Sequence, residues 1–187
     1  KEPEGKKQML LSTIDRAVET TQDLLFISRI ENTSMRKHKM VSLTSICKEL
    51  SELAVALGDV KHLVVTTHIE QGIQVQADAS LLRRALSNIV HNAITYSPEG
   101  GKVTLTLYTE KTTKQIMYVV TNEGIGIPKK ELELIFTRFY RGVSSKGTTG
   151  SGLGLAMSRI VVEQLGGNII VHSIPQKKTQ VIVSLQM

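Results

Sequence analysis

Two carboxamides, Asn88 and Asn92, stand four residues apart in the segment Asn88-Ile89-Val90-His91-Asn92, and on a helix that spacing stacks them on one face. Each amide offers a carbonyl oxygen to a cation or an NH₂ to phosphate oxygens. Magnesium takes oxygen ligands and keeps waters and substrate phosphates around one or two protein groups, so one Asn carbonyl is a sufficient protein contribution. Further on, Asn122-Glu123-Gly124-Ile125-Gly126 sets two glycines where the backbone can turn tightly and approach a flat ligand. Gly150-Ser151-Gly152-Leu153-Gly154-Leu155 then opens a helix, whose free backbone N–H groups and dipole favour phosphate. This last segment is not a Walker loop, since no Gly-Lys-Ser/Thr follows, and its third Gly comes one residue early for a Rossmann turn. Singly, each segment has an ordinary reading as a solvent-facing amide pair, a strand-ending turn or a loop. In this order they imply a site for a metal-bound nucleotide.

The elements that must position these residues are legible from periodicity. Leu11, Ile14, Val18 and Leu25, with Leu24 and Ile27 alongside, keep one apolar stripe on a helix from about Gln8 to Glu31. Such a helix, roughly 24 residues and about 36 Å long, has a narrow seam that calls for a partner helix or a second chain. Met35 to Lys39 reads as a linker. A second helix is capped at Ser42 or Thr44 and carries Ile46, Leu50, Leu53 and Leu57. Leu63 to Ile69 and Ile73 to Ala77 read as strands turned at Gln71-Gly72. Asp78 caps a third helix that carries Leu82, Ala85, Leu86, Ile89 and Ala93 inward and both amides with them. Val103 to Leu107 and Ile116 to Val120 alternate as a hairpin around Lys111 to Lys114, and Asn122 follows its second strand. A short helix from Pro128 to Phe136, a loop from Arg141 to Ser151, a helix over about Gly152 to Leu165, and strands Ile169 to Ile174 and Thr179 to Leu185 complete the chain. Helices and hairpins alternate without a strict βαβ repeat, so the expected class is an α/β two-layer sandwich with a mixed sheet.

Composition bounds the alternatives. The chain has 187 residues, 41% hydrophobic, with 4% aromatic residues and no Trp, so its core must rest on Val, Ile and Leu. The single Cys47 excludes an internal disulfide and fits a reducing compartment. A net charge of +6 is spread without a dense stripe, and there is no aromatic platform or nucleic-acid-reading motif, so no nucleic-acid partner is expected. No apolar run reaches the roughly 18 residues of a membrane span. The expected location is cytoplasmic, with any membrane anchor lying in sequence beyond this chain.

Four segments carry a family resemblance. Leu82 to Pro98 resembles the N box of sensor histidine kinases, Asn122 to Pro128 their first glycine box, Ile135 to Arg141 their phenylalanine box, and Gly150 to Ala156 their second glycine box. The resemblance implies the ATP-binding catalytic domain of the GHKL superfamily, of Bergerat-type fold, over residues 41–187. Residues 1–40, ending in Leu24 to Glu31 and a linker, resemble the second helix of the dimerisation and phosphoacceptor hairpin. It further implies ATP and Mg²⁺ as cofactors, with Asn88 holding the magnesium, Asn92 on the phosphates and Tyr96 packed on the adenine. Asn122 would meet the adenine amino group, Gly124, Gly126 and Ile127 would shape its pocket, and Arg141 would reach the terminal phosphate. Lys146, Ser151, Gly152, Leu153 and Gly154 would close on the triphosphate. Asn88 and Arg141 would be the catalytic pair in transfer of the γ-phosphoryl group to a histidine, for relay to a response regulator receiver domain, in a homodimer joined through the N-terminal helix.

The chain departs from the family pattern in three places. Asn122 stands where Asp is usual and Thr95 where Lys is usual, which predicts weaker nucleotide binding, with Lys146 a replacement for the missing cation. None of His38, His62, His68, His91 and His172 is followed by the acidic residue and Pro of a phosphoacceptor, so the acceptor is expected upstream of Lys1. The superfamily's ATP hydrolases carry a Glu at the Asn88 position; an amide cannot take a proton there, which disfavours hydrolysis. A nucleotide-binding regulatory module without catalysis and an anti-sigma or protein-serine kinase of the same superfamily are the alternatives.

Overall fold

The computed structural model describes residues 39–142 and 150–187, together with Thr13, Ile14, Val18, Thr21 and Leu25. These five are helical and exposed, Ile14, Val18 and Leu25 among them at 57%, 50% and 59%. The rest of the expected N-terminal helix, and the loop from 143 to 149 with Lys146, lie outside the described residues.

From Lys39 the order is β1 (Lys39–Ser42), α1 (Leu43–Val60), β2 (Val64–Ile69), β3 (Gln74–Ala77), α2 (Ala79–Thr95), β4 (Lys102–Glu110), β5 (Gln115–Glu123), two 3₁₀ turns (Lys129–Glu131 and Leu134–Phe136), α3 (Gly154–Gln164), β6 (Asn168–Ile174) and β7 (Lys178–Gln186). The five-stranded sheet runs β2-β4-β5-β7-β6; β2 lies parallel to β4 and the remaining pairs are antiparallel. Helices cover one face, giving the expected two-layer sandwich with a mixed sheet.

The caps are where the residue types put them. Ser42 Oγ accepts from Ser45 N at 3.1 Å, and Asp78 Oδ1 accepts from Ser80 N and Leu81 N at 2.9 and 3.1 Å. Lys61 Nζ closes the other end of α2 by donating to the carbonyls of Ile94 and Thr95 at 3.1 and 2.8 Å, a cation at the negative pole of the helix. On α2, Leu82, Ala85, Leu86, Ile89, Val90 and Ala93 are buried, which leaves Asn88, Asn92 and Thr95 half-buried along one edge of that stripe. On β5 the two-residue period buries Ile116, Tyr118 and Val120 toward the helices, and Asn122 shares their phase.

The expected turn at Gln71-Gly72 exists, with Gly72 at φ +80, but β2 and β3 do not pair. β3 pairs instead with β1, Lys39 opposite Ala77 and Ser42 opposite Gln74, and delivers Val75 and Ala77 to the core. Lys39, read as the end of a linker, is therefore strand. A four-residue strand is too short to show a period, and its partner lies a whole helix away in sequence.

Among the described residues one buried side-chain polar atom lacks a partner. The Tyr118 hydroxyl is buried with no hydrogen bond, and burial, then neighbouring Cys47, push its phenol well above the ordinary value. An unmade buried bond costs about 1–3 kcal/mol. Tyr118→Phe should thus unfold at equal or higher urea concentration, by up to about 1 kcal/mol. A clear loss of stability would show that the hydroxyl has a partner. The Cys47 thiol beside it is pushed up to about 12 by burial and stays protonated and unreactive at neutral pH.

Candidate nucleotide site

A cleft of about 660 Å³ opens between α2, the end of β5, the Gly126 loop and the start of α3. Its volume suits a nucleotide-sized ligand. Of the residues singled out from sequence, Asn88, Asn92, Tyr96, Asn122, Gly126, Ile127, Arg141, Ser151, Gly152 and Gly154 line it.

The amide of Asn88 has a definite orientation. Its Nδ2 donates to Gly154 O at 3.2 Å, across the junction of α2 with the N-terminus of α3. With the NH₂ engaged, Oδ1 is left as a free acceptor on a half-buried side chain, which is the donor atom a hard cation takes. Ser158 Oγ stands 2.9 Å from the Gly154 carbonyl oxygen and 2.8 Å from Ala85 O, so its one proton is shared across the two helices and latches them beside Asn88. The small Gly154 faces Asn88 here; a Cβ on it would stand 3.5 Å from Asn88 Cγ, in ordinary contact. No group of three His, Cys, Asp or Glu able to hold a metal occurs among the described residues. The donor set suits a cation shared with phosphate oxygens.

At the other end of the cleft Asn122 is 6% exposed, with Nδ2 donating to Glu123 O at 3.1 Å and reaching Ser97 Oγ at 3.5 Å. Ser97 in turn donates to Ala93 O at 2.7 Å. The Asn122 NH₂ is thus taken by the protein, and the carbonyl oxygen is the group left over. Gly124 lets this corner press on the end of α2, since a Cβ would overlap the Tyr96 carbonyl oxygen. Gly124 therefore shapes the cleft from behind without lining it. Gly126, at φ +66, packs against the β6–β7 turn, and Ile127 N donates to Ser173 Oγ at 2.8 Å to hold the loop there.

The phosphate end is built on α3. Leu153 is its N-cap and no side chain caps it, so its first N–H groups keep their capacity for an anion. Gly152, at φ +73, comes so close to the chain before it that a Cβ would lie 2.8 Å from the Phe139 carbonyl carbon. Leu153 departs from its expected place: its side chain is 0% exposed and packs with Leu81, Ala85, Met157 and Val161. Inside Gly-Ser-Gly-Leu-Gly the leucine anchors the loop in the core, its N–H donating to Ser151 Oγ at 3.3 Å and its carbonyl accepting from Met157 N at 2.9 Å. Lys146 is outside the described residues, so the cations placed at the cleft are Arg83, Arg84 and Arg141, with Arg83 paired to Glu49.

Sequence reasoning missed Glu131. It is 4% exposed and lines the cleft from the first 3₁₀ turn. Its signal, an acidic residue shortly after Pro128 amid Lys129, Lys130 and Glu133, looks like a solvated charge run. Arg84, Thr95 and His91 also line the cleft, and His91 is exposed.

An α/β sandwich with an amide-bearing helix facing an uncapped helix N-terminus across a nucleotide-sized cleft defines an ATP-binding catalytic domain, and relatives of known class agree. Residues 77–187 match the family described as histidine kinase-, DNA gyrase B-, and HSP90-like ATPase. The chain belongs to this family. It is similar to the sensor histidine kinase WalK of Bacillus subtilis, 38% identical over 118 residues that make up 62% of this chain and 19% of that protein. It is also similar to the adaptive-response sensory kinase SasA of Synechocystis sp., 31% identical over 176 residues, 93% of this chain and 44% of that protein. The solved mycobacterial sensor histidine kinase MprB superposes with a TM-score of 0.65 at 30% identity, covering 80% of this chain and all of that one. The chain thus spans less than half the length of the curated relatives it matches. It carries an ATPase domain similar to those of these sensor histidine kinases.

Proposed function

We propose that this chain binds Mg-ATP in the cleft and, as part of a longer protein, transfers the γ-phosphoryl group to a histidine for relay to the receiver domain of a response regulator. The observation that carries the reading is the Asn88 amide, whose NH₂ is held by Gly154 so that its oxygen is left for a cation. Magnesium would supply charge neutralisation on the β- and γ-phosphates. Asn92, one turn further along α2, would donate to phosphate oxygens, and the N-terminus of α3 with Ser151 and Gly152 would bind the remainder. Asn122 would accept from the adenine amino group, Tyr96 would pack on the ring, and Arg141 would neutralise charge developing on the transferred group. Residues 1–40 would supply a dimerisation helix; the exposed Ile14, Val18 and Leu25 suit a seam shared with another helix. No described helix is long and apolar enough to cross a membrane, and a cytoplasmic location is part of the proposal.

Calorimetry with Mg-ATP, followed by incubation of a form extended upstream of Lys1 with γ-labelled ATP, tests the reading. Binding and an acid-labile, base-stable phosphoryl label are expected. Binding without label would make the chain a nucleotide-gated module. The Asn122 orientation adds a selectivity prediction. With its NH₂ engaged by Glu123 O, the residue offers only an acceptor, so a base bearing a carbonyl at that position meets two facing oxygens. GTP should bind at least about 100-fold more weakly than ATP. Comparable affinities would mean that the amide turns over and does not read the base.

A further inference from the structure

Glu131 is a carboxylate almost wholly removed from solvent at the wall of the cleft that Arg141 also lines. A charge so placed requires compensating partners. The segment Tyr140–Gly142 supplies contact from one side. The half-buried Tyr140 donates its hydroxyl to the Glu131 carboxylate, and burial together with that carboxylate raises the phenol above its usual value. Gly142 lies directly under the same group, because a Cβ there would overlap Glu131 Oε2. Just before this segment Phe139 takes a left-handed conformation, φ +64, which a bulky residue adopts only under constraint. That turn sends the chain back toward Glu131, with Arg141 between the two residues the carboxylate touches.

We infer that Glu131 is a positioning residue: its carboxylate pins Tyr140 and Gly142 and thereby holds the intervening Arg141 at the end of the cleft that receives the terminal phosphate. The inference rests on the nucleotide reading above and adds to it a residue that acts through Arg141. Electrostatics alone gives the opposite sign. A bare carboxylate beside a triphosphate repels it, so deleting the charge would tighten binding. Positioning predicts weaker binding, confined to the nucleotide that carries a γ-phosphate.

The test is calorimetric titration of the full chain with Mg-ATP and, separately, Mg-ADP. Glu131→Ala should weaken Mg-ATP about 10-fold and leave Mg-ADP within about 2-fold. Tyr140→Phe should act in the same direction, about 3-fold on Mg-ATP. Arg141→Ala should match Glu131→Ala, and the double variant should be no weaker than Arg141→Ala alone. Should Glu131→Ala melt too low to titrate, Glu131→Gln, which keeps the volume and loses the charge, carries the same comparison. Tighter Mg-ATP binding in Glu131→Gln, equal losses for the two nucleotides, or additive effects in the double variant would overturn the assignment alone. Absence of heat with either nucleotide in the unmodified chain would overturn the nucleotide reading and this assignment with it.

Discussion

Asn88→Ala should reduce phosphoryl transfer by the extended protein at least about 100-fold while leaving the fold in place. The two halves of that expectation have separate causes. Structurally, the side chain makes one half-buried hydrogen bond, Nδ2 to Gly154 O, whose loss costs about 1 kcal/mol. Ser158 still holds the same carbonyl, so the α2–α3 junction survives. Chemically, removing the oxygen that Asn88 offers a cation leaves the phosphates' charge without its protein-fixed counter-ion site, and that neutralisation is most of what a phosphoryl-transfer enzyme contributes. Titrating magnesium at fixed nucleotide separates the two: the variant should lose the metal dependence of ATP binding while melting within a few degrees of the parent. Retained metal dependence would move the cation away from Asn88. A collapse in melting temperature would show that the residue is a structural latch.

Gly126→Ala should be strongly damaging for a single methyl, costing about 2–4 kcal/mol of stability and with it nucleotide binding. Its φ of +66 already penalises any side chain by about 1–2 kcal/mol. The added Cβ would in addition fall 2.5 Å from Ile174 O and 2.7 Å from Pro175 Cα, backbone atoms that no rotamer change can move. Relief requires separating the Gly126 loop from the β6–β7 turn, which are joined by Gln176 N to Ile125 O at 2.9 Å and by Ile127 N to Ser173 Oγ at 2.8 Å. That separation opens the floor of the cleft. Gly166→Ala is the matched control, since Gly166 has φ +70 but nothing within 4 Å of its Cβ. The difference between the two denaturation midpoints isolates the contact from the dihedral. Equal midpoints would mean that the loop yields freely and that Gly126 is kept for its dihedral alone.

Several features of the site were legible because they depend on neighbours in sequence. Asp78 as a cap and the four-residue spacing of Asn88 and Asn92 are each set within a few residues, and each stands in the fold where local rules put it, whereas Asn122, read as following its strand, lies buried within β5. The pairing of β2 was not legible. The turn at Gly72 invites a hairpin, yet β2 joins β4 in parallel across the whole of β3 and α2, and β3 takes β1 instead. Leu153 and Glu131 were misleading for a related reason: one looked like a ligand residue because its neighbours are glycines, the other like solvated charge because its neighbours are lysines. Burial depends on what packs on a side chain from elsewhere in the chain.

Taken by itself, then, the order of residues determined which groups could do chemistry, the caps and periods that set them on helix or strand, and the nucleotide class they suit. Only the tertiary structure decided which oxygen Asn88 presents, that the Asn122 NH₂ is already engaged, that Leu153 is core, and that a buried carboxylate stands beside Arg141. The physical reason is range. Caps and periods are written in dihedrals and spacings of a few residues, whereas the direction of an amide and the burial of a charge are fixed by atoms brought together from tens of residues apart.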